Sequence, residues 1–275
     1  SRIFLCMKVS TKSRISFHGG THPAEKKELC AGKEIQQGPD VTNVSVMLCQ
    51  HIGAICEPLV RKGNAVQAGQ KIGDSDAFVS APVHSPITGK VKEVALRSHP
   101  VLGRSMAIVI EALAHSPTKR SYFNQQDDFD VSKYSAGQIC EAVREAGIVG
   151  MGGAGFPTRV KIEPNPRLPK DALIINGCEC EPYITCDYRI MLEWTDKIIA
   201  GIKLAQKASG CSRVFIAIED NKPKAIEVMK TALKIVPNSS HIKVVSVRTK
   251  YPQGGERQLI KAVLKKNVPT GGIPP

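Results

Sequence analysis

Gly150-Met151-Gly152-Gly153-Ala154-Gly155-Phe156-Pro157-Thr158, with Lys161 shortly after, is the stretch on which the reading of this chain turns. Four glycines in six residues let a backbone approach a ligand closely and aim its N–H groups at a phosphate, and Lys161 adds a positive charge nearby. The next segment gives the loop its context. Asp171-Ala172-Leu173-Ile174-Ile175 has the pattern of a buried parallel strand, and Asn176-Gly177-Cys178-Glu179-Cys180-Glu181-Pro182 follows at its carboxyl end, where ligands of α/β sheets sit. Side chains two apart on an extended segment point the same way, so Glu179 and Glu181 are expected to face that crevice together.

Working outward, helix and strand patterns alternate from Ser135 onward. Ser135 predicts a helix cap with Gly147 as the stop. Ile190, Trp194, Ile198 and Ile202, four apart, predict a helix ending near Gly210. Strands are predicted at 172–176, 214–218 and 242–247, and further helices from Asn221 through Leu233 and from Glu256 to Lys265. This alternation argues a mostly parallel sheet. Residues 41–112 instead read as short strands separated by Gly, Pro and Asn, an all-β module.

Val60 to Ile72, followed by Ala81-Pro82 and Thr88-Gly89-Lys90-Val91, resembles a biotinyl or lipoyl carrier. The turn Ser75-Asp76-Ala77-Phe78 carries no lysine to be acylated, so a docking or structural barrel is expected rather than a swinging arm. The expected organisation is a basic segment over 1–40, a barrel-sandwich hybrid over 41–115, a linker over 116–134 and a Rossmann-like α/β domain over 135–275. The fold class is thus α+β multidomain.

G-x-G-G-A-G-F-P-T-x-x-K followed by N-x-x-E-x-E-P resembles the FMN- and NADH-binding subunit of respiratory complex I and its relatives, most closely the RnfC family of the Rnf complex, a membrane-bound ferredoxin:NAD oxidoreductase. Phe17-His18-Gly19-Gly20-Thr21-His22-Pro23, Gln50-His51-Ile52-Gly53 and Phe78-Val79-Ser80-Ala81-Pro82-Val83 resemble that family too. The resemblance implies that Gly150, Gly152, Gly153, Ala154, Gly155 and Lys161 face FMN. It implies Asn176 and Glu179 toward the ribityl chain or ring, and Glu181 and Phe156 toward the nicotinamide nucleotide. Tyr251-Pro252-Gln253-Gly254-Gly255-Glu256 resembles a segment in which Tyr251, Gly254 and Glu256 complete the site, with Gly255 replacing a glutamate. Cys178 stands where complex I carries an acidic residue.

The implied cofactors are FMN and NAD(H), with 4Fe-4S clusters only in a further carboxy-terminal region, and the chain is read as an amino-terminal fragment whose natural start is Met7. The implied partners are the other membrane and iron–sulfur subunits of an Rnf-type complex and an acidic ferredoxin, at the cytoplasmic face of the membrane. Flavin chemistry needs no acid–base triad, and no catalytic side chain is expected. Cys178, Cys180 and Cys186, spaced C-x-C-x5-C, match neither a zinc pair nor an iron–sulfur run, so no metal is expected. His18, His22, His51 and His84 are read as surface or turn residues.

Composition narrows the classes. A formal net charge of +13 favours acidic partners or anionic lipid headgroups, but the excess is spread, and seven Phe and five Tyr offer little base stacking, so nucleic acid is not an expected partner. Apolar runs fall far short of the ~20 residues a membrane-spanning helix needs, which leaves peripheral attachment. Nine cysteines without a secretion signal fit a reducing compartment. A cobalamin reductase of the propanediol-utilisation type, a docking protein with a vestigial flavin site and a quinone-reducing NADH dehydrogenase stay open, the first opposed by the order of the two domains.

Overall fold

The computed structural model describes residues 15–113, 130–151, 155–166 and 169–268. They fall into two compact units, one drawn from Ser1–Gln36 and Asn165–Pro275, the other from Gln37–Pro164. The predicted linker lies largely at 114–129, outside the described residues, as do Gly152, Gly153 and Ala154.

The second of these units contains the barrel. β1 (Asn43–Met47), β2 (Glu57–Pro58), β3 (Ala65–Val66), β4 (Lys71–Asp74), β5 (Val83–His84), β6 (Gly89–His99) and β7 (Gly103–Ala112) form two antiparallel sheets, β1-β7-β6-β3 and β2-β4-β5. Alternation places Val46, Val91, Ile108 and Ile110 inward against Leu48, Ile72 and Val83, a dry core between the sheets. β6 is longer than the short strands expected over 41–112, because it pairs with β7 out to His99↔Gly103. The tip is set by the His99 ring, whose Nδ1 accepts the Val101 and Leu102 N–H groups while Nε2 lies 3.0 Å from the Cys49 carbonyl.

α1 (Ala136–Glu145) belongs to the same unit. Ser135 starts it as predicted, in a reciprocal pair in which Ser135 Oγ accepts the Gln138 N–H and Gln138 Oε1 accepts the Ser135 N–H. Gly147 ends it at φ +65°, and a Cβ there would lie 2.3 Å from the Pro82 carbonyl oxygen. Arg144 and Lys71 both pair with Asp74 and with Glu145. Arg144 Nη2 also donates to the Ser75 carbonyl (3.2 Å), so α1 is tied to the foot of the turn where a carrier would bear its lysine.

The other unit is a three-stranded parallel sheet in the order β10-β9-β8, made of β8 (Ala172–Gly177), β9 (Arg213–Glu219) and β10 (Ile242–Val247). Its helices are α3 (Cys186–Glu193), α4 (Thr195–Ser209), α5 (Pro223–Ile235) and α6 (Glu256–Leu264). A short α2 (Thr158–Ile162) follows the glycine loop in the barrel unit. Central β9 buries Val214, Ile216, Ala217 and Ile218, and Met191, Ile199, Ile202, Ala225, Met229 and Leu233 cover it from the helices. The single predicted helix through Trp194 is broken there. Trp194 leaves helical geometry (φ −129°, ψ 37°), and the Thr195 hydroxyl donates to the Met191 carbonyl as α4 begins. The turn-by-turn apolar pattern continues across the break because both helices pack on the same core.

Residues 15–36, expected to be loop-like, lack a sheet of their own but run along this unit. Arg248 N–H donates to the Ile15 carbonyl, Thr21 pairs with Tyr251, and Lys250 Nζ donates to the carbonyls of Phe17 and Gly19 with its ammonium over the Phe17 ring. Gly20, at φ +91°, is required by close approach, since a Cβ would sit 2.7 Å from the Tyr251 carbonyl. Truncating Ile218, fully buried in the central strand, to Ala should cost about 2–5 kcal/mol through a cavity that cannot collapse. Urea unfolding followed by circular dichroism should show the lowered midpoint, and an unchanged midpoint would contradict the assigned core.

Candidate functional site

β8 ends at Gly177, where a Cβ would lie 3.1 Å from the Ala217 carbonyl oxygen. Beyond it the chain turns rather than continuing as a strand. The two glutamates therefore separate. Glu179 is 2% exposed, and its carboxylate accepts the N–H groups of Asp187 (2.7 Å) and Tyr188 (3.1 Å) in the first turn of α3. Glu181 stays exposed to solvent. The expectation that both face one side fails because the period-two rule holds only on an extended strand, and this segment is a turn.

Glu179 thus satisfies orphan donors at a helix start that has no side-chain cap of its own. Asn176 is similarly engaged. Its Nδ2 donates to the Gly254 carbonyl (2.8 Å) and its Oδ1 accepts the Cys178 N–H (3.1 Å), which joins the loop after β8 to the turn before α6. Gly254 permits this, as a Cβ there would meet Cys178 at 3.2 Å. Tyr251 is 43% exposed on that second loop, and Glu256 opens α6.

Below the loop lies a buried charge pair. Glu219, at the end of β9 and fully buried, accepts from Lys222 Nζ (2.8 Å) and from the Glu179 N–H (3.0 Å) through Oε2, while its Oε1 has no partner among the described residues. Burial, together with Glu179 and opposed by Lys222, pushes the Asp187 carboxyl up to about 6. Burial also raises the thiols of Cys178, Cys180 and Cys186. They are held in the protonated form, which is the poor form for ligation. Glu179, Cys186 and Asp187 do place donor atoms within 4.8 Å of one another, but both Glu179 oxygens are already committed to backbone amides.

In the barrel unit the described flanks of the glycine loop pair with each other. Val149 pairs with Pro157, Gly150 N–H donates to the Phe156 carbonyl (2.9 Å), and Thr158 N–H donates to that of Ile148 (3.0 Å). Gly155 sits at φ +65° against Gln50 and His51, where a Cβ would be 3.1 Å from the Gln50 carbonyl. Lys161 holds its ammonium 5.6 Å from the centre of the Phe156 ring. His51, read as a surface or turn residue, is instead buried: its Nε2 accepts the Ala81 N–H (3.2 Å) and its Nδ1 lies 3.1 Å from the Ile52 carbonyl. Its sequence neighbours hid this because its Ala81 partner lies some thirty residues away.

Residues 15–114 match the family described as the RnfC barrel sandwich hybrid domain, and residues 143–275 match the Nuo51 FMN-binding domain. The C subunit of the proton-translocating ferredoxin:NAD(+) oxidoreductase complex of Clostridium ljungdahlii is 43% identical over 265 residues, 94% of this chain and 55% of that one. The chain resembles such C subunits over nearly its whole length. The C subunit of the Na(+)-translocating ferredoxin:NAD(+) oxidoreductase complex of Acetobacterium woodii is 41% identical, over 94% of this chain and 57% of that one. The chain therefore spans little more than half the length of these RnfC relatives. Among solved structures, an NAD+-reducing [NiFe]-hydrogenase in the air-oxidized state aligns with 50% of this chain and 26% of that one, at 25% identity and a TM-score of 0.44. The RnfC barrel precedes the Nuo51 domain here, in the order read from the sequence. Among the described residues no helix is long and apolar enough to cross a membrane.

Sequence reasoning missed Glu219, Lys222 and Asp187, whose role rests on burial, and the segment around Lys27, whose partners lie more than 150 positions away. A folded-state pKa of about 6 against 3.8 unfolded means that Asp187 binds more protons folded than unfolded between pH 4 and 6, so stability falls as pH rises through that window. The fall should be on the order of 1–2 kcal/mol after allowing for partial solvent screening. Asp187→Asn should flatten it in thermal melts taken from pH 4 to 7, and an equally steep fall in that variant would refute the assignment.

Proposed function

We propose that this chain is the NAD(H)- and FMN-binding part of the electron-transfer subunit of an Rnf-type complex. The observation that carries the reading is the polar loop after β8, at the carboxyl ends of a parallel sheet, which leaves Glu181 exposed beside the loop bearing Tyr251 and Gly254. FMN, when bound, accepts a hydride from nicotinamide and releases electrons singly to iron–sulfur clusters. The chain's own residues bind, orient and shield.

Gly150, Gly152, Gly153, Ala154 and Gly155 supply N–H groups for the FMN phosphate, with Lys161 adding positive charge and Phe156 an apolar face. Asn176 and Glu179 serve the flavin as positioning residues, because their polar atoms hold the loop and α3 in place. Glu181, with its carboxylate exposed, accepts a ribose hydroxyl of the nicotinamide nucleotide. Tyr251, Gly254 and Glu256 add the second loop of the same unit as Glu181 to the nucleotide site. The clusters that take the electrons are 4Fe-4S clusters outside these residues. The membrane and iron–sulfur subunits of the complex are the partners, an acidic ferredoxin suits the charge of +13, and attachment is peripheral at the cytoplasmic face.

In the full-length protein, Gly153→Val should abolish bound FMN, read as flavin released on denaturation, because a side chain would fill the space of the phosphate. Glu181→Gln should leave flavin content unchanged and raise the KM for NADH, by a factor equivalent to about 1–3 kcal/mol if a buried hydrogen bond is lost. Full flavin in the first variant would sink the FMN assignment. An unaltered KM in the second would sink the role of Glu181.

A further inference from the structure

Tyr183 occupies the left-handed region of backbone space, φ +70°, where glycine is at ease and a side chain is penalised. Burial of the ring does not offset that strain, since Tyr183 is 57% exposed. The conformation is nevertheless fixed by the segment between Glu25 and Cys30. The Tyr183 N–H donates to the Glu25 carbonyl (2.9 Å), and the Cys30 thiol donates to the Tyr183 carbonyl (3.0 Å). On either side, Lys27 Nζ donates to the carbonyls of Glu181 (3.0 Å) and Ile184 (2.7 Å). An exposed aromatic residue is thus held, by contacts from a distant stretch of chain, in a place where glycine would be easier. Strain maintained in this way collects at ligand sites.

What the ring serves follows from its neighbours. Glu181, with its exposed carboxylate, precedes it by two residues, and the same amino-terminal segment that holds Tyr183 through Glu25 pairs with Tyr251 through Thr21. Two exposed tyrosines and a carboxylate held by one strap suit a ligand with planar rings and ribose hydroxyls. We propose that Tyr183 is an aromatic platform on which a planar ring of the nicotinamide nucleotide stacks, and that Lys27 is the positioning residue that holds it out. This rests on the NAD(H) reading above and adds two residues to it.

The test uses the full-length, FMN-loaded protein, with titration of NADH and of reduced nicotinamide mononucleotide, flavin content and thermal midpoint measured for each variant. Tyr183→Gly should raise the Kd for NADH about tenfold, keep flavin content and leave the thermal midpoint unchanged or higher, since it relieves the strain. Tyr183→Phe should bind as the wild type does. Lys27→Met should weaken binding less, Lys27→Arg should restore it, and Lys27→Met added to Tyr183→Gly should cost nothing more. A loss confined to NADH assigns the adenine to the ring, and an equal loss with the mononucleotide assigns the nicotinamide; either supports the platform. NADH affinity unchanged in Tyr183→Gly, or a loss of flavin in its place, overturns it. A wild-type protein that binds no NADH overturns the broader reading together with this one.

Discussion

A carboxylate without access to water, Glu219 at the end of the central strand, sets the terms for the rest of this unit. An ionised carboxylate in such a place needs a cation and further donors, since desolvation alone would cost several kcal/mol. Lys222 meets the need three residues later, immediately before Pro223 opens α5, so the pairing fixes the βα turn that follows β9. The same oxygen accepts the Glu179 N–H, which carries the constraint across to the loop after β8. Asn221 extends it outward, with its side chain on Glu25 and its backbone N–H on the Thr249 hydroxyl. One buried charge thereby links the ends of all three parallel strands and the amino-terminal segment.

The acidic motif is divided by this arrangement. Glu179 lies inside, its carboxylate aligned with two helix N–H groups, and burial, with Glu179 adding to it, drives the neighbouring Asp187 carboxyl toward the neutral form. Glu181 lies outside, free of that network in its side chain but tethered by its carbonyl to Lys27. The loop is thus tied through its backbone while the Glu181 side chain stays exposed.

Local chemistry made much of this fold legible. The strands read at 172–176 and 242–247, found at Ala172–Gly177 and Ile242–Val247, the Ser135 cap and the Gly210 stop at φ +72° all depend on residues within a few positions, and periodicity or capping rules reach that far; the helix read from Asn221 begins at Pro223. The break at Trp194 was not legible, since the apolar spacing is the same on both sides of it. Nor was the inward turn of Glu179, because sequence spacing says which residues can share a face only while the strand lasts. Gly19-Gly20 entered the reading only through a family resemblance, and the approach of Tyr251 shows why glycine stands at position 20.

The barrel illustrates how a fold is diverted from one use to another. A swinging-arm carrier needs its modified turn exposed and unencumbered. Here the corresponding turn lacks the lysine, and its base is bound by Arg144 through the Asp74 carboxylate and the Ser75 carbonyl. Arg144 and Lys71 share Asp74 and Glu145 between them, so the four charges form a network in which ordering one side chain lowers the entropic cost of the next. Such a turn is a fixed surface, and α1 is fastened to it at the residue where its helix ends. Gly147 then turns the chain against Pro82 toward Gly150, so the barrel, through α1, sets where the glycine loop begins.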